Sequence, residues 1–267
     1  MNLKTEEAKR FIKSEKIKKI KILFAQISIF IGFLLLWEFL SSKELINSFL
    51  VSSPSAIFKL LKQYIANGEL YMHVSISLYE TILGLIIGTV FGIAIAILLW
   101  WFKTLAKILD PFLVVLNALP KTALAPIFII WAGTGVKGIV VVAISISLIL
   151  TILSAYNYFK NIDEEKIKML KSFGANKWQI LTKLVLPSNI VNLVDITKIN
   201  IGMSWVGVIM GEFIVSRAGI GYLIVYGSQI FKLDLVMMGV FILAVIAYLM
   251  YQVVNIIEKV LKKKLSK

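Results

Sequence analysis

Between two long apolar runs the chain carries a polar interruption, DEEKIKMLKSFGANKWQILTKLVLP (Asp163–Pro187), whose residue types suit non-covalent recognition rather than bond-making. Glu164, Glu165 and Lys168 fall at near-helical spacing, as do Ile167, Leu170 and Phe173, so the stretch before Gly174 reads as a short amphipathic helix. Gly174 stops or turns it. A second piece, Asn176–Val185, sets Trp178, Ile180, Leu181 and Leu184 among Lys177 and Lys183, and Pro187 closes it. Two short helices at an angle are expected, offering charged and aromatic groups to the groove of a partner protein. The plain alternative is a basic amphipathic segment resting on a bilayer surface.

Inside the apolar runs the residues able to act on a solute are few. An ammonium there is costly unless it pairs, snorkels or faces water, so Lys121 is a candidate contact for an anion. It follows Pro120 in a run that also holds Pro111 and Pro126, and each proline frees a backbone carbonyl. A bent or broken helix lining a translocation path is expected there, with a packing kink as the alternative. Asn200, Met203, Ser204 and Trp205 are further candidates for solute contact, and Glu212 either pairs with Lys121 across the fold or sits at the outer boundary. Asp195 and Lys198, three residues apart, are expected to neutralise each other.

Enzymatic chemistry has no visible carrier. The chain has no cysteine and a single histidine, His73, which removes thiolate chemistry and makes a metal site implausible. It has no Gly-x-Ser-x-Gly elbow and no His-Glu-x-x-His, and the absence of a Gly-x-x-x-x-Gly-Lys-Ser/Thr loop means that any ATP is hydrolysed by another polypeptide. No cofactor is expected on this chain.

The elements that must position these groups follow from composition. With 59% apolar residues, 16% charge and a mean hydropathy of +0.87, 267 residues cannot be packed as a water-soluble domain. Runs long enough to cross a ~30 Å hydrocarbon core occur at Ile22–Leu40, Thr81–Phe102, Pro111–Ala132, Gly138–Phe159, Ile190–Gly211 and Leu235–Ile257. An all-α, polytopic membrane protein with six transmembrane helices is therefore expected, spanning residues 22–257 with the polar loop 160–189 between the fourth and fifth. The net charge of +14 is sorted by loop: 21 of the 29 Lys and Arg lie in 1–21, 102–110, 159–189 and 258–267, which puts both termini in the cytoplasm. That distribution speaks for an anionic bilayer, not nucleic acid, as the partner of the basic N-terminus, residues 1–21, and leaves 258–267 as a basic cytoplasmic tail. The first apolar run is too long for a signal-peptide core and lacks a cleavage pattern. Gly84, Gly88, Gly92 and Ala96 make a smooth stripe for close helix packing. Outside the bilayer, Ser55–Ile65 reads as a surface helix with Pro54 near its start, and Gly219-x-Gly221 allows a tight reversal within Ala218–Phe231.

The stretch Gly174, nine further residues beginning with Ala175, and then Leu184-Val185-Leu186-Pro187 resembles the cytoplasmic EAA loop of permeases of binding-protein-dependent ABC importers. In that family Glu-Ala-Ala begins six residues before the glycine. Here those positions read Lys168, Met169 and Leu170, and Glu164 lies one turn earlier on the same face. Asp110-Pro111, Ala118-Leu119-Pro120, Ala125-Pro126-Ile127 and Trp131-Ala132-Gly133-Thr134-Gly135 are similar to the third span of nitrate/sulfonate/taurine-type permeases, as Gly211-Glu212-Phe213 and Gly219-Ile220-Gly221-Tyr222-Leu223-Ile224 are to the stretch after their fifth. The resemblance implies a homodimer of permeases in a prokaryotic cytoplasmic membrane, served by two cytoplasmic ATPase subunits that bind Mg-ATP and by an extracytoplasmic solute-binding protein. It implies an ATPase-coupling role for Glu164, Glu165, Lys168, Gly174, Ala175, Trp178, Leu184, Leu186 and Pro187. Small anions are the implied solutes; related permeases also serve vitamin-precursor heterocycles. An ion-coupled secondary carrier is the competing reading, disfavoured because no internal repeat is visible and Lys121 is the deepest charge in the runs.

Overall fold

The computed structural model describes residues 6–47 and 51–265; Lys4, Lys267 and positions 48–50 lie outside them. Among the described residues the chain is helical without a strand: α1 (Glu6–Ser42), α2 (Pro54–Ala66), α3 (Glu69–Trp101), α4 (Lys103–Ala118), α5 (Lys121–Ala132), α6 (Val136–Lys160), α7 (Glu164–Ser172), α8 (Lys177–Val215), α9 (Ile220–Gln229) and α10 (Leu233–Leu265). Helices α1, α3, α6, α8 and α10 are each long and apolar enough to cross a membrane, and α4 with α5 makes a sixth such unit if the bent pair counts as one.

Helix α6 is the centre of the bundle because small residues let two neighbours approach it closely. Gly84, Gly88 and Gly92 of α3 face Ala143, Ser147 and Thr151 of α6, both rows stepping by four residues, so the two helices mesh along matching ridges. Gly207 and Gly211 of α8 press on Ala143 and Ile139 from the other side. Around the loop-160–189 end, Ala96, Ala155, Phe159, Ile180, Leu181, Val185 and Ile196 form one buried cluster. At the opposite end Ile57, Leu60, Leu85, Trp205, Ile220 and Leu235 belong to another. The large apolar side chains of α1, such as Phe24, Ile29 and Phe30, stay exposed, as expected of a surface meeting lipid rather than water. This helix passes Lys21 without a break.

The proline-rich run is not one span-length rod from Pro111 to Ala132. The chain enters it earlier, through α4, and breaks at Leu119-Pro120, where α5 departs at 100°. Leu119 is forced to extended backbone (ψ 137°) by the ring that follows it, whereas Pro111 and Pro126 sit inside helices without ending them. The break strands the Asn117 carbonyl, and the Lys121 ammonium donates to it at 3.0 Å.

Pro187, too, acts differently from the sequence expectation. It does not separate a surface helix from the fifth span, because α8 runs unbroken from Lys177 to Val215. A π-helical turn, Leu181–Val185, lies just ahead of the proline, with the Leu186 N–H bonding back to the Leu181 carbonyl. That wide turn takes in Lys183, the residue whose carbonyl a proline at 187 would otherwise crowd.

Candidate functional site

At the loop end, α7 is fixed by caps on both sides. The Asp163 carboxylate accepts from the Glu165 N–H at 2.9 Å, and acidic Glu164 and Glu165 fill the first turn, where the helix dipole favours them. At its other end Gly174 adopts φ +78°, and the N–H groups of Gly174 and Ala175 return to the carbonyls of Lys171 and Leu170. This is a Schellman cap, which needs a left-handed residue at the glycine's position. Asn176 and Gln179 then exchange two bonds of 2.8 Å in a capping box that starts α8.

The assembly is bolted to the bundle. Ile167, Leu170, Ala175, Leu184 and Leu186 pack on the buried cluster at this end. The Lys177 ammonium donates to the Trp101 carbonyl at the end of α3 and lies 5.0 Å from the centre of the Trp101 ring, whose neighbour Trp178 meets it edge-on at 6.3 Å. Glu164, Glu165, Lys168 and Gly174 are exposed, and so are Met169, Trp178 and Phe173, the last at 80%. Ile167 and Leu170 thus face the bundle as an amphipathic helix requires, while Phe173 points away from it. The result is a rigid knob with an acidic start and three uncovered apolar side chains.

The candidates of the fifth span separate into two faces. Asn200, Ser204 and Trp205 are buried, whereas Met203 is on the opposite, exposed side. Asn200 joins three helices: its amide donates to Thr89 of α3 at 2.9 Å and to Thr151 of α6 at 2.6 Å. Its Oδ1, Ser204 Oγ and Trp205 Nε1 are buried without a partner among the described residues. Replacing Asn200 with Leu is expected to cost about 1–2 kcal/mol, seen as a lower unfolding temperature of the detergent-solubilised chain. Asp195 and Lys198 do pair, at 3.1 Å, and Lys198 also reaches Glu258 of α10, which Lys262 contacts in turn.

Lys121 and Glu212 are not partners. Lys121 is bound to Asn117, beside an exposed Pro120, while Glu212 is buried against Ser77 of α3 and the start of α9. Sequence reading missed Glu80, which lies one residue before the expected start of the second span yet is 1% exposed beside Glu212. The helix that carries it already begins at Glu69. Glu258 was also passed over, as part of a basic tail.

Residues 88–267 match the family described as "Binding-protein-dependent transport system inner membrane component". The chain belongs to this family. It is an ABC-type permease, a multi-pass membrane protein of transport. Among curated relatives it is similar to the permease SsuC of Bacillus subtilis (strain 168), named for aliphatic sulfonates transport, at 27% identity over 85% of this chain and 83% of that one. It is also similar to the taurine transport system permease protein TauC of Escherichia coli (strain K12), at 24% identity over 81% of each. A third relative is the riboflavin transport system permease protein RibX of Chloroflexus aurantiacus, at 27% identity over 80% of each. Its fold matches a chain of the MetNI methionine ABC transporter in an inward-facing conformation, with a TM-score of 0.62, 18% identity, and coverage of 69% of this permease and 92% of that chain.

Proposed function

We propose that this permease is the transmembrane subunit of an ATP-driven importer in a prokaryotic cytoplasmic membrane, moving a small anion of the sulfonate or taurine kind by alternating access. The observation that carries the reading is the knob at the loop end: a short helix capped on both sides, held outside the bundle and anchored to α3 and α8. Such a part transmits a partner's rigid-body motion instead of absorbing it. The partner is a cytoplasmic ATPase, which holds Mg-ATP; this chain binds no cofactor itself. Both termini and the knob face the cytoplasm, as the lysine distribution favours, and α2 with α9 forms the floor on which a solute-binding protein docks. A second copy of the permease completes the path.

The anion is favoured by the sulfonate- and taurine-named relatives and by the Lys121 cation at the α4–α5 break, whose ammonium is held by Asn117 alone among the described residues. A heterocycle of the riboflavin or thiamine-precursor class is the second reading, since a riboflavin-named relative is as similar in identity as the sulfonate-named one. Replacing Lys121 with Met is expected to depress anion uptake at unchanged membrane levels of the chain. Unchanged uptake in that variant assigns Lys121 to capping Asn117 alone.

Affinity purification of the tagged chain in mild detergent, with an ATPase assay on the product, tests the reading. An ATP-hydrolysing subunit is expected to co-purify and to be lost when 163–187 is scrambled. A transport-competent chain with no ATPase would instead make the protein a secondary carrier.

A further inference from the structure

Helix α9 is ten residues long and is preceded by Gly219 at its N-cap, so it has no side-chain cap of its own. Its first amides are satisfied by side chains from two other helices. His73 Nδ1 of α3 accepts from the Gly219 N–H at 3.0 Å, and Ser77 Oγ accepts from the Ile220 N–H at 2.7 Å. Glu212 of α8 accepts from the Gly221 N–H at 2.5 Å and the Tyr222 N–H at 3.3 Å through Oε2, while its Oε1 accepts from the Ser77 hydroxyl at 2.5 Å. Side chains at positions 219 or 221 would run into the Glu212 carboxyl, which accounts for both glycines, and Gly219 also adopts φ +114°.

Next to Glu212, within hydrogen-bond reach of it, is the carboxyl of Glu80. Both side chains are 1% exposed. Glu80 Oε2 is buried without a hydrogen-bond donor among the described residues. An ionised carboxyl only accepts, so two of them cannot hydrogen-bond without a proton between them. Among the described residues no lysine or arginine forms an ion pair with either carboxyl; the nearby titratable groups are His73 and Glu69 of α3 and Tyr222 of α9. Two adjacent unit charges shielded from water would have nothing to offset them.

We propose that Glu80 and Glu212 hold a single proton between them, and that this proton seats α9 on the bundle, with Glu80 as the positioning residue for Glu212. The division of labour follows from the contacts. Glu212 receives three N–H and O–H donors at the positive end of a helix, the environment of a carboxylate. Glu80 receives none and is left to donate. The pair then carries one negative charge, placed against the α9 amides, and the carboxylic acid of Glu80 keeps the Glu212 side chain turned toward them.

The test uses the full chain purified in mild detergent with any subunits that accompany it, and needs no transport, so its outcome is independent of the importer reading. Infrared spectra at neutral pH are expected to show the carbonyl band of a protonated carboxyl that disappears in E80Q. The second readout exploits the absence of cysteine: a single thiol introduced by Leu223→Cys, at a position 2% exposed under α9, is labelled by a maleimide only when the helix lifts. E80Q still offers an N–H to Glu212 and is expected to label as slowly as the native pair. E80A and E212Q are expected to label about tenfold faster or more, since each removes or mismatches a buried charge-assisted bond. Absence of the carboxylic acid band, or E80Q labelling as fast as E80A, overturns the proposal.

Discussion

Replacing Gly174 with Val is expected to leave the chain inserted and folded but to reduce solute uptake about 5- to 30-fold, the factor that corresponds to 1–2 kcal/mol. The cause is backbone geometry rather than bulk. Nothing lies within 4 Å of where a Cβ at this position would stand, so a larger side chain has room. What it lacks is access to φ +78°, which costs an L-residue about 1–2 kcal/mol and a β-branched one at the upper end. To relieve that cost the Schellman cap opens, the Gly174 and Ala175 amides leave Lys171 and Leu170, and α7 tilts relative to α8. The exposed Met169, Phe173 and Trp178 then no longer share one fixed surface. Gly174→Asn separates the causes, because Asn tolerates the left-handed region; it is expected to keep most of the uptake that Val loses. Equal loss in both variants would mean that size, not conformation, matters there. Uptake into cells, measured beside the amount of chain in the membrane, decides it.

The sequence disclosed this cap because a glycine between two amphipathic stretches is a local signal, read within one turn. It disclosed the α3 stripe for the same reason, and the structure gives each of Gly84, Gly88 and Gly92 its counterpart in α6. Pro187 was misjudged because its effect depends on the π turn ahead of it, and no residue in Leu181–Val185 announces one. The break at Leu119-Pro120 was foreseeable in kind, but three prolines in one run look alike, and only the middle one is preceded by a residue in extended backbone.

The interior groups were harder, since their partners are distant in sequence. Glu212 meets Ser77 across 135 positions, and Asn200 meets Thr89 across 111. Composition showed Lys121 as the deepest charge only because the expected span began at Thr81. Helix α3 begins twelve residues earlier, at Glu69, and carries Glu80 into the bundle. Burial of that carboxyl is a property of three packed helices and of the reversal at Gly219, and hydropathy along a single run has no access to it.

The second large effect is expected at Gly207, where α8 lies against α6. An added methyl group would stand 2.5 Å from the Ala143 Cα and 2.9 Å from its nitrogen, which are main-chain atoms that cannot rotate aside. Either α8 or α6 must move, and α6 is already held on its other face by the α3 glycines. Gly207→Val is therefore expected to cost about 3 kcal/mol, the upper part of the usual range for overpacking, and to lower the unfolding temperature of the detergent-solubilised chain sharply. Two comparisons keep the cause identifiable. Gly202, on the same helix, has nothing within 4 Å, so Gly202→Ala is expected to be neutral or to stabilise by up to about 1 kcal/mol through helix propensity. At Gly88 the obstacle is the Ser147 side chain, so Gly88→Ala should be rescued by Ser147→Gly, a repair with no equivalent at Gly207 because Ala143 meets it with backbone. Similar losses for Gly207→Ala and Gly202→Ala would show that α8 and α6 are not in the close contact on which the burial of Asn200 and Glu212 depends.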